Sequence, residues 1–291
     1  MLSRILSTVL LWSIVIGSLW LLGVHAAVAL LTLLSALTLH EFYALTEKMG
    51  FKPFRKIGLT FGVLMTAAPF YLWVFGFDEE IVASFTPALL AVAVVVFGIR
   101  ILGERDNGNR IETLVSSMLG LLYVPFMLHY LVRLMLLTYG GSQQFFEFFP
   151  ALDPGLVLCL WVVAVSKFCD VGALLTGLAI GRHKMAPNIS PKKTWEGAVG
   201  GVFTSALVGA AINYFVGDLL PEKLTFVTAG IVGAVLAVTT IVSDLIESAM
   251  KRRADIKDTG ALIPGIGGAF DLTDSLILTA PVAYLIFLFL T

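Results

Sequence analysis

The sequence predicts an all-α fold, that of a polytopic integral membrane protein with about nine transmembrane helices. Of its 291 residues, 58% are apolar and only 13% are charged, which is more apolar surface than one soluble core can bury. The charges are also clustered, so that long stretches between the clusters carry few or none. Lipid is therefore expected to be the solvent for most of the protein surface.

Taken in order, the apolar stretches give nine spans joined by short loops. The first stretch is too long for one crossing of a hydrocarbon core about 30 Å thick, so we expect a helix break near Gly23. The sixth span differs from the others because Lys167 and Asp170 lie within it. The spans are predicted near residues 5–22, 24–40, 57–77, 81–99, 113–132, 155–180, 197–217, 224–246 and 268–290.

Basic residues predict the orientation of these spans. If the N-terminus is cytoplasmic, all but three of the 19 lysine and arginine residues lie on the cytoplasmic side. Arg133 and Lys223 then lie outside and Lys167 lies within a span, a distribution that the positive-inside rule favours. The basic loops and the N-terminus are therefore expected to face the cytoplasm, and the C-terminus the outside.

No soluble domain fits between the spans, so we expect one continuous membrane domain. Within it, residues 1–150 form N-terminal transmembrane helices, and residues 151–291 form a C-terminal catalytic region in which the charged motifs are concentrated. The net charge of −1 gives no indication of a nucleic-acid partner. Cys159 and Cys169 lack C-x-x-C spacing and are expected to be packing residues.

Acidic side chains at membrane depth are the main chemical signal of the C-terminal half. Span eight carries a polar face made of residues at helical spacing, Asp244, Glu247, Ser248 and Lys251. Asp271 and Asp274, three residues apart, open span nine after the glycine-rich P-G-I-G-G. Each carboxylate costs about 2.5 to 3.5 kcal/mol at membrane depth unless it is compensated, and oxygen ligands on two facing helices suit Mg²⁺. Alternatively, the acids only pair with nearby basic residues, Lys251, Arg252 and Lys257.

The loop after span six carries a second group of polar residues, in the order Ser190-Pro191-Lys192-Lys193-Thr194-Trp195-Glu196-Gly197. Lys192 and Lys193 precede Thr194, which opens span seven, so two cations, a hydroxyl and free helix amides come together there. Such a combination binds phosphate. The alternative is a basic loop that only sets topology. Lys167 and Asp170 either neutralise each other or bring a carboxylate to the same cavity.

These motifs resemble those of the phosphatidate cytidylyltransferase family, also called CDP-diacylglycerol synthases. The resemblance is carried by S-P-K-K-T-W-E-G at 190–197, by D-x-G-A at 170–173, and by S-x-x-K-R-x-x-x-x-K-D-x-G-x-x-x-P-G-x-G-G-x-x-D-x-x-D from Ser248 to Asp274. The N-terminal spans match in hydropathy and in His40-Glu41-Phe42 at the edge of span two. The resemblance therefore covers residues 155–291 most fully.

The resemblance implies a membrane nucleotidyltransferase that transfers CMP from CTP to phosphatidic acid, giving CDP-diacylglycerol and pyrophosphate for phospholipid synthesis. It implies a Mg²⁺ cofactor, with a second cation and a homodimer left open, and a place among the lipids of the bacterial cytoplasmic (inner) membrane. The implied metal ligands are Asp244, Asp271, Asp274 and Glu247. The implied catalytic residues are Asp244, Lys251, Asp271 and Asp274. The implied substrate-binding residues are Ser190, Lys192, Lys193, Thr194, Ser248, Arg252, Lys257 and Asp258.

Two positions depart from the family pattern, which generally reads P-G-H-G-G followed by D-R-x-D. Here Ile266 stands in place of the histidine and Leu272 in place of the arginine. The metal-binding acids remain, which favours a working enzyme of a divergent branch. A cytidylyltransferase that acts on another lipid phosphate, or a weak or silent enzyme, stays open. A cation or proton transporter that uses the buried acids is the alternative from another class, although transporters tend to show repeated halves that we do not find in this sequence.

Overall fold

The computed structural model of the chain describes residues 13–103, 110–137, 153–256, 259–260 and 267–290. Most of these residues are helical. The helices are α1 (Ser13–Leu22), α2 (Val24–Lys48), α3 (Arg55–Val74), α4 (Glu79–Leu102), α5 (Arg110–Tyr123), α6 (Pro125–Leu137), α7 (Pro154–Ile180), α8 (Trp195–Val216), α9 (Phe226–Arg253), α10 (Ala269–Ile277) and α11 (Thr279–Leu290). An antiparallel hairpin of β1 (Lys184–Ala186) and β2 (Ser190–Thr194) connects α7 to α8.

The predicted all-α polytopic fold is confirmed. Eight helical segments of the described residues are long and apolar enough to cross a membrane, and α1 is a further, shorter apolar helix. Two of the eight segments consist of two helices each, α5 with α6 and α10 with α11. The eight segments correspond to the second to ninth predicted spans, and part of the first predicted span lies outside the described residues.

Three breaks between helices have identifiable local causes. Gly23, between α1 and α2 as predicted, has a φ of 53°, a left-handed conformation that glycine adopts without strain. Pro125 begins α6 and lacks the amide hydrogen that a continuation of α5 would need. Pro281, in the first turn of α11, would clash with the carbonyl of Ile277 in an unbroken helix. As a result, α10 is a short helix within a membrane-spanning segment.

Helices α7, α8 and α9 approach one another closely through small residues. A Cβ added to Gly201 on α8 would lie 2.9 Å from the carbonyl oxygen of Cys169 on α7. One added to Gly233 on α9 would lie 2.7 Å from the carbonyl oxygen of Ser205 on α8. Helices in lipid associate through such contacts. Cys159 and Cys169 are buried and unpaired, as expected for packing residues.

Helix α10 packs against both α2 and α9, so it joins the two halves of the chain. On α2, the hydroxyl of Thr38 lies 3.0 Å from that of Thr273, and the ring of Phe42 meets that of Phe270 edge to face at a centroid distance of 6.0 Å. On α9, the hydroxyl of Ser243 donates a hydrogen bond to a backbone carbonyl of α10. These contacts place polar residues of α2, α9 and α10 in one region.

The orientation in the membrane stays a prediction, which two positions at opposite ends of α8 can test. Asn188 precedes β2, Glu222 follows α8, and both are exposed. In a chain with Cys159 and Cys169 replaced by alanine, a single cysteine at Glu222 should react with an impermeant thiol reagent in intact cells. A single cysteine at Asn188 should react only in inside-out vesicles. Labelling of both from one side would contradict the predicted topology.

Candidate active site

The polar face predicted for α9 meets α10. Lys251 Nζ lies 2.7 Å from Glu247 Oε2, one turn earlier on α9, and 2.8 Å from Asp271 Oδ1 on α10. The hydroxyl of Ser248 donates to Asp244 Oδ1 over 3.4 Å. The helical spacing read from the sequence thus brings these side chains together, and a lysine connects them to the next helix.

Three carboxylates, which we call the acid triad, come closest to one another. One oxygen from each of Asp244, Glu247 and Asp274 lies within 4.8 Å of the others. Glu247 is fully buried, and its Oε1 has no hydrogen-bond partner among the described residues. A buried carboxylate oxygen without a partner is unfavourable. The acid triad is therefore a group of oxygen ligands with one unsatisfied carboxylate oxygen, and its composition fits Mg²⁺.

Lysines compensate part of the negative charge around the acid triad. The ion pairs are Lys251 with Glu247 and Asp271, Lys193 with Asp244, and Lys167 with Asp170 and Asp274. Among the described residues, three ammonium groups thus form ion pairs with five carboxylates. In formal charges this leaves two negative charges, which one divalent cation would balance.

Asp271 has surroundings different from those of the acid triad. Its Oδ1 accepts a hydrogen bond from Lys251, and its Oδ2 accepts one from the backbone amide of Gly268 at 2.8 Å. Oδ2 also lies 3.2 Å from the hydroxyl of Thr259. Asp271 is the third residue of α10, and it reaches back to the amide just before the helix, as the acid of a capping box does. Its predicted role as a metal ligand stays a prediction.

The β1–β2 hairpin brings the second predicted motif to the acids. Lys193 on β2 forms an ion pair with Asp244 of the acid triad. Arg252 Nε donates a hydrogen bond to the carbonyl of Ile189 at 3.1 Å. The hairpin is therefore attached to α9 at two points, and one of them is a lysine expected to bind phosphate.

Other residues of the hairpin motif stabilise its own backbone. The buried hydroxyl of Thr194 caps α8 by accepting the amide three residues later at 3.1 Å. Glu196 accepts the backbone amides of Arg182 and His183 at 3.1 and 3.2 Å, which closes the base of the hairpin. The motif's two other predicted binding residues both lie on β2, the exposed Lys192 and the half-buried Ser190. Their contact with substrate stays a prediction.

Lys167, which the sequence places within a span, reaches beyond its neighbour on α7. Its Nζ lies 2.6 Å from the hydroxyl of Ser275, 3.8 Å from Asp274 Oδ1 and 3.9 Å from Asp170 Oδ2. Lys167 therefore does not only neutralise Asp170, because it also connects α7 to an acid of the acid triad. Asp170 is brought to the same cluster, one of the two possibilities that the sequence left open.

One member of the network, Glu41 of α2, was not among the predicted site residues. Its Oε2 accepts the backbone amide of Phe270 at 2.9 Å and the hydroxyl of Thr259 at 3.1 Å. The available signal was an acid in the otherwise apolar second span, within the His40-Glu41-Phe42 edge that takes part in the resemblance. Nothing local to that edge indicates a partner more than 200 residues away.

Four further positions of interest belong to the C-terminal motif. Lys257, Asp258 and Ile266 lie outside the described residues, so the predicted contributions of Lys257 and Asp258 to phosphate binding stay predictions. Leu272 lies on α10 between Asp271 and Asp274 and is half-buried. An apolar side chain thus stands within the acidic motif where the resemblance leads one to expect a guanidinium.

The chain is similar to known proteins over most of its length. A family model described as the cytidylyltransferase family matches residues 2–290. A phosphatidate cytidylyltransferase of Synechocystis is 30% identical over 285 residues, which cover 92% of this chain and 90% of that protein. One from Rickettsia bellii is 31% identical over 215 residues, covering 71% of this chain and 86% of that protein. One from Thermotoga maritima is 30% identical over 202 residues, covering 69% of this chain and 68% of that protein.

The contacts of Lys167 predict that a positive charge at this position stabilises the fold. Lys167→Met removes the ammonium group that faces two acids, whereas Lys167→Arg retains a cation. A lost charged hydrogen bond costs about 1.5 to 3 kcal/mol, and the 37% exposure of this side chain favours the lower value. We expect the apparent melting temperature in detergent to fall by a few degrees for the methionine variant and to change less for the arginine variant. Equal melting temperatures for both variants would contradict this role.

Proposed function

Since the chain belongs to the cytidylyltransferase family, we propose that it is a CTP:phosphatidate cytidylyltransferase of the bacterial cytoplasmic membrane. The reaction would transfer CMP from CTP to phosphatidic acid and release pyrophosphate. The observation that best supports this function is the acid triad, which is surrounded by lysines from α7, α9 and the hairpin. Acids to hold a cation and lysines to hold phosphates are what a reaction between two phosphate compounds requires.

We assign the acid triad to Mg²⁺. Asp244, Glu247 and Asp274 would hold the ion, and the assignment is supported by the partnerless Oε1 of Glu247 and by the two uncompensated charges. When bound, Mg²⁺ would supply positive charge to the phosphoryl oxygens and to the departing pyrophosphate. Asp271, also predicted as a ligand, adjoins the acid triad through Lys251. A second cation stays a prediction.

The proposed chemistry requires two anions to be held in line. A phosphate oxygen of phosphatidic acid would attack the α-phosphorus of CTP. The bond between that phosphorus and the oxygen bridging to the β-phosphorus would break, and pyrophosphate would leave with the electron pair. The attacking phosphate is already an anion near neutral pH, so positioning and electrostatic stabilisation carry the rate, and no general base is required.

The proposed phosphate-binding residues are two lysines. The ammonium groups of Lys193 and Lys251 each pair with an acid of the acid triad, so they adjoin the space that the reacting phosphates would occupy. We assign the triphosphate of CTP to these two residues. Arg252 and Thr194 would act indirectly, because the first holds the hairpin and the second caps α8.

The depth of the site supports a lipid acceptor. Arg253 ends α9, and Asp244 lies nine residues earlier, which places it about 13 Å deeper along the helix axis. The basic residues at the end of α9 are of the kind that lie at the membrane surface. A site at this depth can meet a lipid phosphate from the bilayer and a nucleotide from the cytoplasm.

Leu272 favours a second candidate acceptor, a different lipid phosphate. Members of the family generally carry an arginine at this position, and without it the acceptor phosphate would meet one cation fewer on α10.

The catalytic role of residues 151–291 also stays a proposal, supported by the fact that all three acids of the acid triad lie there. A homodimer stays a prediction, which light scattering of the purified protein would test.

The assay that tests the proposed function uses purified protein in detergent, labelled CTP, phosphatidate and Mg²⁺. We expect a lipid-soluble cytidine product and release of pyrophosphate, both abolished by EDTA and restored by Mg²⁺. If phosphatidate gives no product, polyprenyl and lysolipid phosphates test the second acceptor class. No cytidine lipid with any of these acceptors would refute the proposed nucleotidyl transfer.

Variants of the acid triad test the metal assignment. Asp244→Asn and Glu247→Gln each exchange a carboxylate for an amide of similar size, and we expect turnover to fall roughly a hundredfold or more. The matched control is Asp218→Asn, an exposed acid in the turn after α8, which should retain wild-type turnover. Near-normal activity of either triad variant, in protein that melts like the control, would contradict the assignment.

A further inference from the structure

Glu41 is an acid of α2 that lies outside the acid triad, yet its carboxylate contacts the beginning of α10. Phe270 is the second residue of α10, so its amide is one of those that no carbonyl of its own helix can accept. Glu41 Oε2 accepts that amide at 2.9 Å. We propose that Glu41 is a positioning residue that caps α10 from a different helix and thereby sets the positions of Asp271 and Asp274, an inference that rests on the proposed function.

Thr259 connects this cap to Asp271. Its hydroxyl lies 3.1 Å from Glu41 Oε2 and 3.2 Å from Asp271 Oδ2. Asp271 Oδ2 also accepts the amide of Gly268, so two carboxylates from different helices hold the first turn of α10. Negative charge is stabilised at the N-terminus of a helix, which favours this arrangement.

The glycines of the surrounding motif fit the cap. A Cβ on Gly260 or on Gly268 would collide with the carboxylate of Glu41, so a larger residue at either position would displace it. Gly267 has a φ of 121°, a conformation that other residues rarely adopt, and it turns the backbone into α10. Two glycines of the motif that carries the family resemblance are therefore explained by close approach to an acid of the second span.

The cap is connected to the acid triad through side-chain contacts. Asp271 accepts from Lys251, which in turn lies 2.7 Å from Glu247 of the acid triad. Asp274 lies one turn after Asp271 on the same short helix. A shift of the first turn of α10 therefore moves one carboxylate of the acid triad and the lysine partner of another.

The fold does not depend on this cap alone. Thr38 of α2 also contacts Thr273 and the carbonyl of Ala269 on α10, at 3.0 and 3.2 Å. Tyr43 fixes α2 independently, because its ring fills the space beside Gly120 and its hydroxyl donates to a carbonyl of α5 at 2.9 Å. Neutralising Glu41 should therefore disturb the geometry of α10 more than the assembly of the helices.

Glu41→Gln tests the inference, with Glu47→Gln as the matched control. Glu47 lies on the same helix but is exposed and pairs with Arg55. We expect Glu41→Gln to lower kcat roughly tenfold or more, the kinetic equivalent of one lost charge-assisted hydrogen bond, with a smaller change in KM for CTP. The control should behave as the wild type, and the melting temperatures of both variants should remain close to that of the wild type.

A second pair of variants and a second measurement keep the two proposals separable. Thr259→Val removes the bridging hydroxyl and should lower kcat, whereas Thr259→Ser keeps it and should restore activity. Hydrogen exchange in residues 267–277 should accelerate in Glu41→Gln and in Thr259→Val but not in Glu47→Gln. Hydrogen exchange needs no turnover, so it tests whether Glu41 caps α10 even if the wild type makes no cytidine lipid. Exchange and kcat equal to those of the control, in active protein, would overturn the inference while leaving the proposed function intact.

Discussion

Negative charge at membrane depth is the constraint on which the rest of the structure depends. Carboxylates surrounded by apolar helices are unfavourable unless cations compensate them, and here the cations come from neighbouring elements. Lys167 connects α7 to α10, Lys251 connects α9 to α10, and Lys193 connects the hairpin to α9. Compensation of charge therefore also links the elements that surround the acids.

The first turns of α10 are where these charges converge. Because α10 begins just after Gly267 and Gly268, its first turn offers free amides to two carboxylates, and Asp274 in its second turn joins the acid triad. Irregular backbone of this kind is tolerated at membrane depth only where protein surrounds it, as α2 and α9 do here.

Composition and spacing predict the fold and the list of acids, but not how each acid is used. The helix break at Gly23 and the common face of Asp244 and Glu247 follow from local rules of hydropathy and helical period. The sequence does not distinguish Asp271 from Asp274. In the structure Asp271 is held by Gly268 and Lys251, whereas Asp274 joins the acid triad. That difference arises from tertiary contacts, which no local spacing encodes. The place of Glu41 depends on the packing of the second span against the last and is equally invisible in a local pattern.

The same charge balance bears on Leu272, one of the two departures from the family pattern. Leu272 removes a cation from α10, yet Asp274 still has one within 3.8 Å, because Lys167 approaches it from α7. One acid of the triad, Asp274, is thus compensated by a lysine of α7 and not by a cation of its own helix. The proposed metal site consists of the acids, so we expect metal binding to be insensitive to the residue at position 272. In the proposed reaction the acceptor phosphate would meet the cations around the acids, so we expect the choice of lipid to be the property most sensitive to the residue at position 272.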